Sequence, residues 1–296
     1  MSNNNSNLQL TVAGKDRTSV GSVIKKIIIY IVCTFLAILS ILPFWIMMVN
    51  ATRSTPQINA SAIALLPSTH LFDNIKILSD KNMFKPLVGF FNSLLVAACS
   101  TGLAIYFSSL TAYAQVVYEW KFKRAFFSFI LAVMMLPAQV TMVGFLQMCY
   151  QLHATDKLFM LILPSIAAPS MVFFMRQYLQ PALPIEIVHS ARIDGAREFY
   201  IFNKIVLPIL KPAMATQAIF AFVGSWNNLF TPMVLLSTPK KYTMPMMVSL
   251  LRADIYKTEY GSIYAGLTLT ILPLIIVYLI LSKYIVAGVA LGSVKG

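Results

Sequence analysis

Residues 184–212 read PIEIVHSARIDGAREFYIFNKIVLPILKP, and the apolar residues of this stretch fall at helical spacing. Ile187, Val188 and Ala191 form one apolar stripe along a first short helix. Gly195 then favours the left-handed backbone that commonly ends a helix. The stretch therefore predicts a short helix that stops abruptly near Gly195.

A second short helix is predicted after this break. Asp194 is expected to act as its N-cap. Apolar residues then recur at helical spacing, at Ala196, Phe199, Phe202 and Val206. Helices this short are marginal in water unless an apolar face is packed. We therefore expect a helix, a sharp break and a second helix that together present a surface to a partner.

The sequence on both sides of this segment is that of a membrane protein. Of the 296 residues, 58% are hydrophobic and only 11% are charged, whereas soluble domains carry roughly 25% charged residues. Six runs contain no Lys, Arg, Asp or Glu, at 27–52, 87–118, 125–152, 158–175, 212–239 and 260–282. Each run reaches the length, about 17–25 residues, that a helix needs to cross a bilayer. The chain is predicted to be an all-α polytopic membrane protein with about six transmembrane helices.

The predicted transmembrane domain covers residues 27–287, between an N-terminal tail (1–26) and a C-terminal tail (288–296). Its spans are placed at about 27–50, 87–117, 125–150, 158–178, 210–237 and 260–284. The fourth span is the shortest and contains Pro164 and Pro169, so a full span and a re-entrant or broken helix both stay open. The first apolar run is too long for a signal-peptide core and is expected to be retained.

The net charge of +13 is better explained by membrane topology than by nucleic-acid binding. The basic residues are scattered among the connections and form no dense block, so no nucleic-acid partner is expected. If the N-terminus is cytoplasmic, most of the 23 Lys and Arg residues lie on the cytoplasmic side, as the positive-inside rule requires. Both termini are therefore predicted to be cytoplasmic, with residues 184–212 on the same side.

The cysteine and histidine residues form no pattern typical of a metal site or a catalytic site. They are scattered along the sequence, at Cys33, Cys99, Cys149, His70, His153 and His189. The cysteines fall within predicted spans, and their odd number argues against a disulfide framework. The sequence also lacks the nucleotide-binding pattern GxxxxGK[ST]. We expect neither a metal site nor an enzymatic activity in this chain.

Segment 184–212 closely resembles the EAA loop of the permease subunits of ATP-binding-cassette (ABC) importers. The residues that match this loop are Ala191, Asp194, Gly195, Ala196, Phe202, Leu207, Pro208 and Pro212. Further similar stretches extend the resemblance to nearly the whole chain, at 91–93, 112–114, 135–137, 174–176, 225–228, 272–273 and 292–296. Together they are similar to the carbohydrate-uptake branch of this family, which includes maltose permeases.

The resemblance implies a type I ABC importer permease fold in which the EAA loop forms a cytoplasmic coupling helix. In this family the coupling helix sits in a cleft of an ABC ATPase dimer, which itself binds ATP and Mg, so no cofactor is expected in this chain. The implied ATPase-docking residues are Glu186, His189, Ser190, Ala191, Asp194, Gly195, Ala196, Phe199 and Phe202. The implied ATPase-contacting tail residues are Val294, Lys295 and Gly296.

The resemblance also implies the remaining partners and the location. We expect a second related permease subunit, an extracytoplasmic solute-binding protein, a sugar substrate and membrane lipid. The expected location is the bacterial plasma (inner) membrane.

One position departs from the family pattern. The Glu of the family is His189 in this sequence, and its first Ala is Ser190. The resemblance implies that this Glu pairs with an Arg of the ATPase, and Glu186, one turn earlier, is a candidate replacement. The alternative is that His189 is only an exposed polar residue on a helix face.

Trp226, Asn227 and Asn228 are the candidates for contact with a sugar inside the membrane. An aromatic face and amide groups suit the stacking and hydroxyl hydrogen bonds of a sugar. Asn residues within spans also bond neighbouring helices, and the resemblance implies that sugar binding lies mainly with the partner permease. A structural role is therefore the favoured alternative for these three residues.

A secondary transporter or channel for a small polar solute is the alternative function. Such carriers place Asp, Glu, His or Arg within their spans, whereas here every His and every acidic residue falls in a predicted tail or loop. The sequence therefore favours a permease subunit of an ATP-driven importer of a sugar or oligosaccharide.

Overall fold

The computed structural model describes residues 20–80, 85–251 and 259–293. Throughout these ranges the regular secondary structure is helical. The helices are α1 (Val20–Ala51), α2 (Thr55–Ala60), α3 (Leu71–Asp80), α4 (Pro86–Val117), α5 (Lys123–Met134), α6 (Ala138–Gln151), α7 (Phe159–Ile162), α8 (Pro169–Ala182), α9 (Ile185–Ile193), α10 (Glu198–Ile201), α11 (Leu207–Trp226), α12 (Phe230–Leu235), α13 (Met244–Leu251) and α14 (Tyr260–Ser293). Short 3-10 helices cover Leu163–Ile166 and Pro239–Lys241, and a π-helix covers Phe202–Val206. The all-α prediction is confirmed.

Five helical stretches are long and apolar enough to cross a membrane. They are Val23–Ala51, Pro86–Val117, Phe159–Ala182, Glu198–Trp226 and Tyr260–Ile280. A sixth candidate span is made of α5 and α6 taken together. The prediction of about six transmembrane helices is therefore confirmed.

The third predicted span, 125–150, is bent. Its two helices, α5 and α6, meet at an angle of 97°. Pro137 lies at the bend as the N-cap of α6, with φ −61° and ψ 131°. A proline has no N–H and disfavours helical backbone in the residue before it, so α5 cannot continue through Leu136. The segment is a pair of helices rather than one rod.

The fourth predicted span, 158–178, is less broken than its prolines indicated. Pro164 falls in a short 3-10 helix, and Pro169 is the first residue of α8, where the missing N–H of proline has no helical partner to lose. The stretch Phe159–Ala182 still qualifies as one span.

The fifth predicted span, 210–237, lies nearer the N-terminus than expected. Helical backbone runs from Glu198 through the π-helix to Trp226. The side-chain oxygen of Asn228 then accepts a hydrogen bond from the backbone N–H of Thr231 at 3.3 Å. Because this bond supports the start of a new helix, α12, the span ends at Trp226.

The chain divides into two compact units at Met47, inside α1. In the first unit most of the described apolar side chains of α1 are exposed, as Ile31 is at 63%. A helix that is apolar on all sides is typical of a membrane span. The second unit begins at Met48 and holds the cores described next.

The largest core of the second unit lies where α4, α8, α9 and α11 pack together. Its buried members include Met175 of α8, Val188 of α9, Phe202 of the π-helix and Leu210 of α11. Ala112 of α4 belongs to the same core, and small residues of this kind let helices approach closely. The segment predicted to contact a partner is thus anchored in the main core.

A second core lies at the opposite end of α4. It joins Leu78 of α3, Met247 of α13 and Ile263 of α14. Gly89 in the first turns of α4 packs beside it, because a Cβ at this position would lie 2.8 Å from the sulfur of Met247. The residues that enclose this core come from helices that are far apart in sequence.

Gly261 allows the closest backbone approach in this second core. A Cβ at Gly261 would overlap the carbonyl oxygen of Arg53 and the side-chain amide of Asn74. The same amide donates hydrogen bonds to the carbonyl oxygens of Ala51 at 2.8 Å and Arg53 at 2.9 Å. The start of α14 is therefore fixed against the residues that follow α1.

Candidate functional site

The predicted break at Gly195 is present. Gly195 has a φ of +78°. Its N–H donates to the carbonyl oxygen of Arg192 at 3.0 Å, and the N–H of Ala196 donates to that of Ala191 at 2.9 Å. These two bonds form a Schellman motif, which requires a left-handed residue at the position of Gly195. Helix α9 ends here, and the chain changes direction.

The N-cap prediction for Asp194 is wrong. Asp194 is the C-cap of α9, with φ −70° and ψ 3°, and the N-cap of α10 is Arg197. The Schellman turn occupies Gly195 and Ala196, so helical backbone resumes only after Arg197. The side chain of Asp194 is exposed at the edge of the turn.

The two predicted apolar stripes are only partly buried. Val188 and Ala191 are buried, but Ile187 is 42% exposed. Phe202 is 1% exposed, whereas Phe199 is 69% exposed. Helix α10 is a single turn, and Phe202 follows it into the core. The ring of Phe199 lies on the exposed side of this turn.

The outer side of this segment combines apolar side chains with a cavity. Ile193, at the end of α9, is 86% exposed, and α9 lies outside every candidate span. A cavity of about 450 Å³ opens next to it. Its lining residues are Ala191, Asp194, Gly195, Ala196, Tyr200 and Ile205. Four of the predicted docking residues are therefore brought together around one concave surface.

The polar residues predicted for docking are accessible. Glu186, His189 and Ser190 are exposed on α9. Across the described ranges, no group of three His, Cys, Asp or Glu side chains lies close enough to hold a metal ion. The predicted tail contacts, Val294–Gly296, lie outside the described residues.

A polar cluster behind this surface was not predicted from the sequence. The Nε–H of Arg192 donates to Oε1 of Glu198 at 2.6 Å. The hydroxyl of Tyr113 donates to Oε2 of the same carboxylate at 2.8 Å, and the hydroxyl of Tyr118 donates to Oε2 as well. The guanidinium of Arg192 lies 5.3 Å above the centre of the Tyr118 ring. One carboxylate thus joins α9, α10 and the end of α4, and we call these four residues the Glu198 cluster.

The charges of the Glu198 cluster are fixed by its contacts. The hydrogen bond from Arg192 to Glu198 raises the pKa of the Arg192 guanidinium. Burial raises the pKa of the Tyr118 hydroxyl, and the neighbouring Glu198 carboxylate raises it further. Arg192 therefore stays cationic and Tyr118 stays a hydrogen-bond donor at neutral pH.

The sequence did carry a signal for this cluster. Arg192 and Glu198 are opposite charges on either side of Gly195, and the left-handed turn brings them together. Tyr113 lies in one of the stretches, 112–114, that resemble the importer permeases. The pairing was missed because the two stretches are far apart in sequence and only the tertiary fold brings the end of α4 close to Glu198.

The three substrate-path candidates do not line one common cavity. Trp226 is 1% exposed, and its indole N–H donates to the carbonyl oxygen of Thr270 at 2.9 Å. Asn228 is used at the start of α12, where its amide also donates to the hydroxyl of Thr231 at 3.1 Å. Asn227 borders a cavity of about 310 Å³. The geometry therefore gives Trp226 and Asn228 structural contacts and leaves Asn227 accessible.

Known proteins are similar to this chain in sequence and in fold. A 34% identical relative is the arabinooligosaccharides transport system permease protein AraQ of Halalkalibacterium halodurans, matched over 88% of this chain and 94% of the relative. The lactose transport system permease protein LacG of Rhizobium radiobacter is 32% identical over 91% of this chain and 96% of its own length.

A solved structure has the same architecture. It is a bacterial ABC transporter involved in the import of the acidic polysaccharide alginate, and one of its chains aligns with a TM-score of 0.78. The alignment covers 90% of this chain and 98% of the other, at 22% sequence identity. The fold is thus that of an ABC importer permease, as predicted.

The family assignment follows from a direct match of sequence. Residues 104–291 match the pattern of the binding-protein-dependent transport system inner membrane components. This range contains the Schellman turn at Gly195 and all four residues of the Glu198 cluster. The chain belongs to the family of binding-protein-dependent transport system inner membrane components.

Proposed function

We propose that this chain is the membrane-spanning permease subunit of an ATP-driven ABC importer of a sugar or oligosaccharide. The solute is delivered by an extracytoplasmic binding protein, and the energy comes from a separate ATPase dimer. The observation that carries the proposal is the segment formed by α9 and α10. Its inner side is anchored in the main core, and its outer side presents exposed apolar and polar residues.

The outer side of α9 suits a protein partner. Ile187 and Ile193 are exposed there, and exposed apolar residues that cluster on a surface mark interaction sites. Glu186 and His189 are exposed on the same helix and supply polar contacts. The cavity beside Gly195 offers a recess for a side chain of the ATPase. Phe202 is buried beneath this surface, so its role is to support the docking residues from inside.

ATP chemistry belongs to the ATPase partner in this proposal. The ATPase dimer binds ATP and Mg, and this chain needs no cofactor of its own. When the dimer closes on ATP, α9 moves with it, and the spans swing between inward-open and outward-open arrangements. Both termini lie in the cytoplasm, where the tail residues Val294, Lys295 and Gly296 contact the ATPase as well.

Two further proteins complete the importer. A second, related permease subunit supplies the other half of the translocation path, since the described part of this chain has five or six candidate spans. A solute-binding protein docks on the outer connections. Family membership supports this requirement, because its members are components of binding-protein-dependent systems.

The solute class is proposed to be carbohydrate. The names of the two relatives reported above specify arabinooligosaccharides and lactose. A neutral sugar also fits the described spans, whose acidic side chains are confined to the Glu198 end of one helix. The substrate of this chain is therefore expected among neutral oligosaccharides.

The test combines purification with uptake. The tagged chain is purified from its native membrane, and Mg-dependent ATP hydrolysis is measured in the product. Uptake of radiolabelled arabinotriose, lactose and maltose is then compared in cells with and without the gene. We expect copurified ATP hydrolysis, and loss of uptake of at least one sugar in the deletion strain.

The energy source separates this proposal from a secondary transporter. Cells treated with arsenate lose ATP but keep a proton gradient, whereas a protonophore removes the gradient. Uptake through this chain should stop with arsenate. Uptake that survives arsenate and stops with the protonophore would contradict the proposal and support an ion-coupled carrier.

A further inference from the structure

The Glu198 cluster is the polar connection between α9 and the end of α4. Its carboxylate accepts one hydrogen bond from Arg192 and two from the hydroxyls of Tyr113 and Tyr118. The Arg192 and Glu198 side chains are 30% and 44% exposed. The cluster thus lies at the boundary between the core and the exposed surface of α9.

The aromatic side of the cluster continues into the core. Tyr113 is 3% exposed, and its ring lies 5.6 Å from the ring of Phe202. The ring of Phe202 lies 5.6 Å from that of Tyr106, which precedes Tyr113 by about two turns of α4. A continuous row of aromatic rings therefore extends from the carboxylate of Glu198 to the middle of α4.

Helix α9 has few other attachments. It contains nine residues, of which only Val188 and Ala191 are buried. At its end the chain passes through Gly195, where a Cβ would meet no described atom within 4 Å. A short helix on a glycine turn can pivot unless lateral contacts hold it. Arg192, in the last turn of α9, supplies such a contact through the carboxylate of Glu198.

We infer that Glu198 is a positioning residue that passes the displacement of α9 to α4. Its hydrogen bonds to Arg192 on one side and to Tyr113 and Tyr118 on the other make α9 and the end of α4 move as one body. This inference rests on the proposed function, because it assumes that an ATPase displaces α9. Without the carboxylate, α9 would pivot at Gly195 while α4 stays in place.

The test compares ATP hydrolysis with sugar uptake in the purified complex. The complex is reconstituted in proteoliposomes with its binding protein and the panel sugar that the wild type accumulates. Glu198→Gln removes the charge that holds Arg192. Tyr113→Phe with Tyr118→Phe removes both hydroxyl donors and keeps the rings in the core. Glu119→Gln is the matched control, because Glu119 is 86% exposed, pairs with nearby Lys123 and loses the same charge.

We expect the ATPase to copurify in wild-type amount with every variant. The number of ATP molecules hydrolysed per sugar should rise at least threefold for Glu198→Gln and for the double Tyr variant, and should not change for Glu119→Gln. An unchanged ratio in both cluster variants would overturn the inference. Loss of the ATPase from Glu198→Gln would also overturn it, because the residue would then serve docking rather than transmission.

A distance measurement gives a second readout that needs no sugar. Spin labels are placed at Ile185→Cys at the start of α9, which is not among the docking residues, and at Lys121→Cys beyond α4, after replacement of the native cysteines. In the wild type the distance should stay constant, within the width of its distribution, when ATP and vanadate are added. In Glu198→Gln it should change on addition of nucleotide. A constant distance in the variant would overturn the inference.

The two proposals fail in different ways. If no ATP hydrolysis copurifies with the wild-type chain, the proposed function is wrong, whatever the variants do. If the wild type hydrolyses ATP and takes up sugar but the cluster variants match it, only the role of Glu198 is wrong.

Discussion

The ammonium of Lys241 donates a hydrogen bond to the carboxylate of Asp156 at 2.7 Å, across 85 positions of sequence. The same carboxylate accepts bonds from the backbone N–H groups of Ser237 and Thr238, each at 3.0 Å. This contact fastens the connection after α6 to the connection after α12. The hydrogen bond from Lys241 is the largest cause that lowers the pKa of Asp156 below its usual range.

Asp156→Asn should destabilise this pair of connections. Hydrogen bonds to charged groups contribute about 1.5–3 kcal/mol each, and Asp156 is only partly exposed. Because its pKa is lower in the folded protein, the stabilisation is complete above the ordinary carboxyl pKa of about 4 and is lost as the pH falls further. We expect a lower unfolding temperature in detergent at pH 7 and convergence with the wild type in acid.

The control for this change is Asp73→Asn. Asp73 also contacts a basic group, His70, but its side chain is 72% exposed, and exposed ion pairs contribute little. An equal effect of both substitutions at pH 7 would show that the Asp156 contact has no special role.

Gly195→Val should impair the docking surface. The φ of +78° costs a residue with a side chain roughly 1–2 kcal/mol, and a β-branched residue is the least tolerant. We expect loss of copurified ATP hydrolysis, or hydrolysis without sugar uptake. Gly224→Val is the control, because Gly224 lies in the helical backbone of α11 with no described atom within 4 Å of its Cβ position. Normal uptake by Gly195→Val would defeat the docking role.

Trp226→Ala should lower stability without changing the apparent affinity for sugar. Removing a buried Trp costs about 3–5 kcal/mol, and Trp226 also stacks on Phe222, with ring centres 5.8 Å apart. Trp226→Phe should lose less. Trp120→Ala, at an exposed ring, serves as the control in thermal unfolding. A raised KM for uptake at a temperature where the variant is folded would place Trp226 in the sugar path instead.

Glu186→Gln and His189→Gln should separate the two explanations for the missing family Glu. Both side chains are exposed on α9, so neither substitution should affect folding. If Glu186 replaces the family residue, its substitution alone weakens the retention of the ATPase during washes at rising salt, since a screened ion pair would be lost. If both variants retain the ATPase as well as the wild type does, an ion pair at either position is excluded.

Gly261→Ala should reduce the amount of folded protein in the membrane. The added Cβ would overlap the carbonyl oxygen of Arg53 and the amide of Asn74, and the approach of α14 to the end of α1 leaves no room for it. Gly144→Ala is the control, because its Cβ would meet no described atom within 4 Å. Equal yields of the two variants after detergent extraction would contradict this packing.

The sequence was informative wherever a property is local. Charge-free runs identified the spans, and the φ requirement of Gly195 identified the end of α9. Periodicity was less successful for Phe199, because a helix of one turn has no defined buried face. It also did not indicate the 97° bend between α5 and α6 within the third predicted span, because apolar spacing carries no information about the angle between two helices.

Contacts between distant stretches were beyond local patterns. The pairing of Tyr113 with Glu198 spans 85 positions, and nothing in either stretch alone specifies the other. The role of Trp226 was likewise open from the sequence, because an indole in a span suits both a sugar and a neighbouring helix. Its bond to the carbonyl oxygen of Thr270 favours the second alternative.

Because of the π-helix over Phe202–Val206, the segment from α9 to α11 must keep its exact number of residues. A π-turn holds one residue more than an α-turn, and that extra residue rotates everything beyond it by about 100° relative to an unbroken α-helix. Deleting Asn203 would therefore turn the buried side of α11, with Leu210 and Ala213, toward lipid. We therefore expect this segment to tolerate an exposed point substitution better than an insertion or a deletion, because only a change of residue count rotates α11 relative to the core.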